Sequence, residues 1–395
     1  MRITQAEVIP IRIPKKNPFR VAYATRTACL GMLLQVKTDD GYSGWGEAVP
    51  VREVTGEDRA IVFGRLRTWA AQHLVGRDPF AVEELRRAIA GNLAGMPSAQ
   101  CAVDTALWDV RGQALGLSMW ELLGRERTWH WASASIGIKS VDETVAEAQA
   151  LLRKGFHDLK VKIGLDPDQD VARVLALRQR LGLDWRLYLD ANQGYTVDQA
   201  IQVTHRLAEG GAQVELIEQP VPAGDLEGLA RVTCESPIPI CADEAVKDPA
   251  SLISLIRLRA AHMINVKLMK CGGPTVAALM VHMAEAAGMR AMIGCMIESR
   301  VGITAGLHVA LALDNVKYID LDGAFDLADD IVSPDSGAQY RDGKQFLALG
   351  QGTSQGRMNA SISSSVPPAG APAPGLGVRM DLAAVRRNTD HELQL

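Results

Sequence analysis

Residues 158–191 read DLKVKIGLDPDQDVARVLALRQRLGLDWRLYLDA and contain the repeating unit of this chain. The stretch opens with a short β-type run at 158–163 and closes with a second one at 186–191. Between the two runs, apolar residues recur at the spacing of one helix face. A strand, a helix and a second strand in this order indicate a unit with two parallel strands.

The same unit recurs between about residue 132 and residue 322. The eight β-type runs are ASASIGI (132–138), DLKVKI (158–163), RLYLDA (186–191), VELIE (214–218), IPICAD (238–243), HMINVK (262–267), RAMIG (290–294) and VKYIDLD (316–322). From the second run on, their ends lie 24 to 30 residues apart, which is the size of one strand and one helix. Eight such units predict a closed parallel barrel. An open, doubly wound sheet is the alternative, and the lack of a GxGxxG after the first run disfavours it.

The residues before the repeat are organised differently. Runs at 3–13, 30–38 and 42–48 have strand patterns, whereas 58–74 and 97–116 have helical spacing. Strands followed by helices predict a small α+β domain. We therefore predict three parts: an N-terminal α+β capping domain (1–125), a (β/α)7β TIM-like barrel (126–350) and an irregular segment (351–395) that packs partly on the cap and is disordered at its end.

The composition argues against two classes of partner. Of the 395 residues, 47% are hydrophobic and 22% are charged, and the net charge is -4. This balance predicts a globular protein without a basic surface for nucleic acid. No stretch approaches the roughly 20 apolar residues of a membrane span. The six cysteines lack a zinc spacing and the N-terminus lacks the apolar core of a signal peptide, so a cytoplasmic protein is expected.

Three carboxylates come at the ends of successive predicted strands. They are Asp190, Glu218 and Asp243. Barrel active sites lie at this end of the strands, so the three side chains should converge. Converging carboxylates repel one another unless a cation lies between them, and all-oxygen ligands favour a hard ion such as Mg²⁺. Ordinary salt bridges would explain any one of the acids alone, but they explain the common position of all three less well.

Lysines lie at the ends of two strands on opposite sides of the predicted barrel. Lys160 and Lys162 are two residues apart on the second strand, so both side chains leave the same face. Lys267 ends the sixth strand. A substrate between these strands would meet Lys162 on one face and Lys267 on the other. A lysine base has an ordinary pKa of about 10.4, which a metal and a second cation such as Lys160 would lower. A structural lysine paired with an acid would explain Lys267 alone.

The combined motifs resemble the enolase superfamily, and within it the muconate-lactonizing branch. The motifs are GWGEA (44–48), KVK (160–162), DAN (190–192), EQP (218–220), ADE (242–244), NVKLMK (265–270) and GCMIES (294–299). They extend over nearly the whole chain. The resemblance implies that Asp190, Glu218 and Asp243 bind one Mg²⁺ and that Lys162 and Lys267 form an acid–base pair.

The far end of the predicted pocket is most similar to that of the dipeptide epimerases. Asp320-Leu321-Asp322 resembles the DxD motif that binds the free N-terminus of their substrate, and two carboxylates suit an ammonium group. The alternative is that these acids cap a helix or pair with surface lysines. The resemblance implies further substrate contacts from Lys160, Arg26, Ser133, Ser135 and Glu298.

The resemblance therefore implies a Mg²⁺-dependent epimerase without an organic cofactor. It would invert the α-carbon of the C-terminal residue of a dipeptide through an enediolate, with Lys160 holding the substrate carboxylate and tuning Lys162. A small-molecule substrate and a homo-oligomer are expected. Three other reactions use the same scaffold: muconate-type cycloisomerisation, N-acyl amino acid racemisation and o-succinylbenzoate synthesis. Their substrates lack the ammonium group that Asp320 and Asp322 suit, and a non-catalytic barrel would not need both lysines.

Overall fold

The computed structural model of this protein describes residues 1–20, 24–350 and 371–394. The chain forms an antiparallel cap sheet with helices, followed by eight parallel strands that alternate with helices. The predicted fold class, a (β/α)7β barrel with an N-terminal α+β cap, is confirmed. Among the described residues, no helix is both long and apolar enough to cross a bilayer.

The cap sheet has the strand order β1–β2–β3. Its strands are β1 (Ile3–Arg20), β2 (Thr25–Thr38) and β3 (Ser43–Ala48). The helices that follow are α1 (Arg52–Thr55), α2 (Arg59–His73), α3 (Val82–Asn92), α4 (Pro97–Leu115) and α5 (Met119–Leu123). Helices α2 and α4 coincide with the two segments that helical spacing predicts. Asp58 caps α2, because its carboxylate accepts hydrogen bonds from the Ala60 and Ile61 amides.

Strands β1 and β2 are longer than the alternation of the sequence predicts. The additional residues pair across a hairpin, with Phe19 opposite Arg26 and Arg20 opposite Thr25. A register shift separates this part of the ladder from the regular pairing that ends at Pro14. Residues 14–18, with the sequence PKKNP, do not alternate between apolar and polar types. The sequence pattern therefore does not show that the strand continues through them. The extension matters because it reaches over the mouth of the barrel.

Two glycines let α4 lie directly on β3. A Cβ atom at Gly46 would stand 1.9 Å from the carbonyl oxygen of Ala102, and one at Gly44 would stand 2.4 Å from that of Ala106. No side chain fits at such distances, so backbone packs on backbone. This contact explains both glycines of GWGEA, and it leaves the other face of β3 turned toward the barrel.

The barrel strands follow a short strand, β4 (Trp129–Trp131). They are β5 (Ser133–Ile136), β6 (Asp158–Lys162), β7 (Arg186–Asp190), β8 (Val214–Glu218), β9 (Ile240–Ala242), β10 (Met263–Lys267), β11 (Arg290–Gly294) and β12 (Val316–Asp320). The helices are α6 (Val141–Arg153), α7 (Pro167–Leu181), α8 (Val197–Glu209), α9 (Leu226–Glu235), α10 (Pro249–Leu258), α11 (Leu268–Cys271), α12 (Pro274–Ala286) and α13 (Arg300–Ala312). All eight strands predicted from the repeat are confirmed.

Side-chain alternation separates an apolar layer inside the barrel from a polar layer at the strand ends. The apolar cluster consists of Tyr188, Leu216, Cys241, Met263, Met292 and Tyr318. Two residues further along β7 and β8, on the same face, come Asp190 and Glu218. The parallel register pairs Lys160 with Tyr188 and Lys162 with Asp190. The apolar layer fills the barrel and supports the polar groups at its open end.

A second small sheet and the C-terminal residues complete the fold. The remaining elements are β13 (Ala338–Arg341), β14 (Lys344–Leu347), α14 (Leu382–Arg387) and α15 (His391–Gln394). Strand β14 pairs with both β13 and β4. The residues after α14 bind the cap: the Arg12 amide donates to the Asn388 carbonyl at 2.8 Å, and Arg59 pairs with Asp390 at 2.6 Å. Much of the segment predicted to be irregular, 351–370, lies outside the described residues.

Candidate metal and acid–base site

A cavity of about 1410 Å³ lies where the cap meets the C-terminal ends of the barrel strands. The cap contributes the β1–β2 hairpin and part of the segment that contains α1. Most of the predicted site residues line this cavity, namely Arg26, Ser135, Lys160, Lys162, Asp243, Lys267, Asp320 and Asp322. Asp190 and Glu218 are fully buried and contact lysines of the cavity wall. The structure therefore brings residues from both parts of the sequence to one place.

The three predicted metal ligands form one cluster. One carboxylate oxygen from each of Asp190, Glu218 and Asp243 lies within 4.8 Å of the others. Asp190 and Glu218 end β7 and β8, and Asp243 directly follows β9, so the parallel register brings the three together. All three are at most 1% exposed. Three buried oxygen donors at this spacing fit a hard divalent cation, which would relieve their mutual repulsion.

The pKa values of these acids differ because their cationic neighbours differ. Burial would raise the pKa of Asp190, but Lys160 and Lys162 lower it to about 2. Burial and the charge of Asp190 together raise the pKa of Glu218 to about 8. Burial also acts against the charge on Asp243, yet neighbouring lysines hold its pKa well below the usual range. The cluster therefore contains strongly ionised acids beside one that is reluctant to ionise.

Lys160 lies at the centre of the buried acids. Its Nζ atom is 2.7 Å from Asp320 Oδ2, 2.8 Å from Glu218 Oε2 and 3.0 Å from Asp190 Oδ2. Only 1% of the residue is exposed. Burial alone would lower the pKa of Lys160, but the surrounding carboxylates raise it well above its usual value. Lys160 is therefore a fixed positive charge in the protein alone.

The other two lysines lie on opposite sides of the ring. Lys162 ends β6 and Lys267 ends β10, and these strands are four positions apart in a sheet of eight. Lys162 Nζ is 2.5 Å from Asp190 Oδ2, and Lys267 Nζ is 2.7 Å from Asp243 Oδ2. Each amine therefore adjoins a different member of the acid cluster, and both line the same cavity.

The protein's own carboxylates favour the charged form of Lys267. Burial would lower its pKa, but Asp243 and then Glu218 raise it well above the usual value. The sequence predicts a lowered lysine pKa only where a cation offsets these acids. The pKa of Lys267 is raised in the protein alone, and not lowered as predicted for the metal-bound site, because uncompensated carboxylates attract its positive charge.

Lys270 is a functional residue that the sequence reasoning did not assign. It is 3% exposed, and its Nζ atom donates to the Asp243 carbonyl at 2.6 Å and to the Asn265 carbonyl at 3.1 Å. It also forms a close ion pair with Asp243 Oδ1. Lys270 therefore binds the backbone carbonyl and the Oδ1 atom of Asp243, whereas Lys267 contacts its Oδ2 atom. The signal was present as the second lysine of NVKLMK.

Two neutral side chains hold the remaining parts of the cluster. Asn265 Nδ2 donates to Glu218 Oε1 at 2.9 Å. Gln219 Oε1 accepts hydrogen bonds from the amides of Asp243 and Ala245, at 2.9 and 3.1 Å. The Gln of EQP thus joins the ends of β8 and β9. These contacts orient the carboxylates, which is the usual task of residues next to metal ligands.

Asp320 and Asp322 lie where the first and last barrel strands meet. Asp320 ends β12, whereas Asp322 lies two residues beyond it, so the prediction that one strand carries both is corrected. Asp320 Oδ1 accepts from Ser133 Oγ at 3.2 Å and from Ser135 Oγ at 3.5 Å. The Ser135 amide donates to Asp322 Oδ2 at 2.7 Å. Burial and then Asp320 raise the pKa of Asp322, as expected for two adjacent acids that lack enough cationic partners.

Arg26 and Glu298 occupy different surroundings. Arg26 lines the cavity, is one-third exposed and pairs with Glu53 of α1 at 2.6 Å. This arginine lies on β2, and residues 21–23, just before that strand, lie outside the described residues. Glu298 is 2% exposed and is not among the described residues that line the cavity, although Cys295 is. Its Oε1 atom accepts from the Met296 amide at 2.7 Å. Burial and then Glu47 raise the pKa of Glu298 to about 8, whereas the charge of Lys267 lowers it, so Glu298 lies within electrostatic range of one site lysine.

Known proteins are similar to this chain in both fold and sequence. Residues 3–124 match the model of the mandelate racemase / muconate lactonizing enzyme N-terminal domain, and residues 143–384 match that of the enolase C-terminal domain-like family. An L-Ala-D/L-Glu epimerase from Bacillus subtilis is 35% identical, over 84% of this chain and 91% of the relative. An N-succinyl-L-Arg/Lys racemase from Bacillus cereus is 32% identical, over 84% and 90%.

A solved structure extends the similarity to three dimensions. The dipeptide epimerase from Methylococcus capsulatus, complexed with Mg and the dipeptide L-Arg-D-Lys, superposes with a TM-score of 0.84. It is 35% identical in sequence, and the match covers 96% of this chain and 99% of that one. The two family models together cover the cap and the barrel. The chain therefore belongs to the mandelate racemase / muconate lactonizing enzyme family, whose catalytic domain is enolase-like.

Proposed function

We propose that the protein is a Mg²⁺-dependent dipeptide epimerase that inverts the α-carbon of the C-terminal residue. One observation carries this proposal: two amines, Lys162 and Lys267, end strands on opposite sides of the ring beside one buried acid cluster. A carbon atom held between them has one amine on each face. The first amine removes the α-proton, and the other returns a proton to the opposite face, which inverts the centre.

Asp190, Glu218 and Asp243 would hold the divalent cation. The donor set fits Mg²⁺, because it consists of three oxygens at mutual distances of at most 4.8 Å and contains no sulfur or nitrogen. A bound Mg²⁺ supplies a positive charge that stabilises the negative charge developing on the substrate carboxylate. The dipeptide epimerase from Methylococcus capsulatus was solved in complex with Mg, which supports this identity of the metal.

Lys160 would stabilise the same developing charge from the protein side. It remains protonated, because acids surround it and raise its pKa. Its Nζ atom lies among Asp190, Glu218 and Asp320, so we assign it to binding the substrate carboxylate, whereas Lys162, two residues later, belongs to the acid–base pair. A fixed positive charge in a water-poor site stabilises an anionic transition state more than it does in water.

Asp320 and Asp322 would bind the free N-terminus of the dipeptide. Both line the cavity, and Asp322 has a hydrogen bond from the Ser135 amide but no ion pair among the described contacts. An ammonium group offers three donors and matches such a pair of carboxylates. The relative that acts on N-succinyl amino acids raises a second candidate, racemisation of N-acylated amino acids, whose substrates would bring an anion or a neutral amide there instead.

Isotope exchange tests the proposal. The protein with Mg²⁺ is incubated in D₂O with a panel of L,L-dipeptides, the same dipeptides N-acetylated, and N-succinyl amino acids. We expect deuterium at the C-terminal α-carbon together with inversion, and at least about tenfold slower exchange for the acetylated dipeptides, because a charge-assisted contact is lost. Exchange only with N-succinyl amino acids would support the racemase instead, and none with any substrate would remove both.

Single lysine variants identify the face on which each amine acts. Lys162→Ala and Lys267→Ala should each abolish inversion while retaining exchange from only one of the two epimers. The exposed Lys247→Ala variant is the matched control and should keep both activities. If either active-site variant still exchanged both epimers at the wild-type rate, the two-base proposal would be wrong.

A further inference from the structure

A buried carboxylate of the cap binds the start of a barrel helix. Glu47 lies on β3 and is 1% exposed. Its Oε1 atom accepts from the Ser299 amide at 3.0 Å, and its Oε2 atom accepts from Ser299 Oγ at 2.7 Å and from the Gly302 amide at 2.8 Å. Ser299 is the N-cap of α13, so Glu47 satisfies free amides of that helix from the other part of the molecule.

The sequence of β3 directs Glu47 to this position. Residues alternate between the two faces of a strand, so Gly44 and Gly46 face α4 while Trp45 and Glu47 face away from it. The close contact of β3 with α4 fixes the strand and therefore the carboxylate. On the barrel side, a Cβ atom at Gly302 would stand 2.3 Å from Glu298 Oε2 and 3.0 Å from Glu47 Oε2, so the glycine leaves room for both carboxylates.

The segment before α13 forms part of the cavity wall. Cys295, Met296 and Ile297 line the cavity, and they connect β11 with the N-cap of α13. Glu298 follows them in the sequence, and its Oε1 atom accepts a hydrogen bond from the Met296 amide. The position of these three wall residues therefore depends on where Ser299 is held. Glu47 holds Ser299 through both its amide and its hydroxyl group.

We propose that Glu47 is a positioning residue for the substrate: by capping α13 across the cap–barrel boundary, it fixes residues 295–297 where the bound dipeptide meets the wall. The inference rests on the proposed dipeptide substrate only for the identity of the ligand. Among the described contacts, Glu47 forms no hydrogen bond or ion pair with the lysines or the acid cluster, although its charge acts on the neighbouring Glu298. We therefore expect it to affect how the substrate is seated more than proton transfer. A negative group also suits the positive end of the helix dipole.

Substitution of Glu47 tests the proposal in two ways. Glu47→Gln cannot accept from both amides and the hydroxyl, since its nitrogen is a donor. We expect amide hydrogen exchange of Ser299 and Gly302 to become at least about tenfold faster, as the loss of a charge-assisted hydrogen bond implies. With a dipeptide that the wild type epimerises, we expect KM to rise about three- to tenfold while kcat stays within about twofold. Ser299→Ala removes one of the contacts and should show the same changes with a smaller size.

Glu57→Gln is the matched control. Glu57 is also a buried carboxylate that binds a serine at a helix start, accepting from the Ser98 amide at 3.1 Å and from its hydroxyl at 2.7 Å, but this helix is α4. It should lower stability without changing exchange at residues 299 and 302 or KM. Equal exchange and KM changes in the two Gln variants, or none in Glu47→Gln, would overturn the proposal. The exchange readout needs no substrate, so it distinguishes failure here from failure of the epimerase proposal.

Discussion

Lys270 and Lys267 lie three residues apart, yet they contact Asp243 from different sides. The short helix α11 turns the chain after Lys267, so the side chain of Lys270 returns beneath Asp243 and binds its carbonyl oxygen at 2.6 Å. One lysine thus faces the cavity, and the other fixes a predicted metal ligand. The different positions of the two lysines therefore depend on the single turn of helix α11.

Replacing Lys270 should weaken metal binding. Lys270→Met keeps an apolar stem of similar length but removes the donor to Asp243 and to the Asn265 carbonyl. We expect the affinity for Mg²⁺ to fall about tenfold or more, the usual cost of losing a residue that orients a ligand. Calorimetric titration measures it, with the exposed Lys247→Met as control. A higher affinity would mean that removing a nearby positive charge outweighs the loss of orientation.

The residues at the strand ends could be predicted, but those that support them could not. Asp190 and Lys162 are recognisable because parallel strands in a repeat bring their ends to one edge. Lys270 and Gln219 belong to quoted motifs, yet their partners depend on turns that spacing does not specify. Glu298 follows a strand as a predicted site residue should, but it is 2% exposed and its Oε1 atom accepts from the Met296 amide, so its substrate contact stays a prediction.

At the level of elements, the packing of α4 on β3 supports the cap. Gly46 allows the approach, since an added Cβ would stand 1.9 Å from the Ala102 carbonyl oxygen. That neighbour is backbone and cannot rotate away. The same strand carries Glu47, so any displacement of β3 also moves the carboxylate that binds the N-terminal amides of α13.

Gly46→Ala should therefore destabilise the protein. We expect a loss of about 1 to 3 kcal/mol in the free energy of unfolding, or more, because the helix must move away from the sheet. Urea denaturation measures the change. Gly64→Ala in α2 is the control: nothing lies within 4 Å of its added Cβ, so it should be neutral or stabilise by up to about 1 kcal/mol. Equal stability of the Gly46→Ala variant and the wild type would contradict the packing argument.

The barrel elements are readable from the sequence for a physical reason. Strands of a parallel barrel are covered by helices, so β6 and β10 are continuous buried runs between helical segments. The sheet of β13, β14 and β4 has no such signal: its strands have three or four residues each, and β4 pairs with residues more than 200 positions later. Pairing over that distance leaves no local pattern.

At the scale of the whole molecule, a cluster of acids is buried between two parts of the protein. Lysines offset part of the negative charge, yet burial and Asp190 keep the pKa of Glu218 at about 8. Folding therefore brings together groups that repel one another. A cation that binds only the folded protein lowers that cost and stabilises the fold.

Mg²⁺ should therefore raise the thermal stability. At 100 times its Kd, the ion adds about 2.7 kcal/mol to the free energy of unfolding, so Tm should rise with Mg²⁺ and return to the metal-free value after chelation. Scanning calorimetry measures the shift. Glu218→Gln keeps the shape of the side chain but removes a charged ligand, and its Tm should respond little. A Tm independent of Mg²⁺ in the wild type would argue against a metal at this cluster.

The contact of residues 388–390 with the cap has a consequence for synthesis. Asn388 and Asp390 bind β1 and Arg59, which leave the ribosome more than 300 residues earlier. All eight barrel strands are made between these two halves of the contact. The cap therefore lacks these two contacts until the barrel strands have been synthesised. Residues 388–390 add the contacts last and join the C-terminal part of the described chain to the cap.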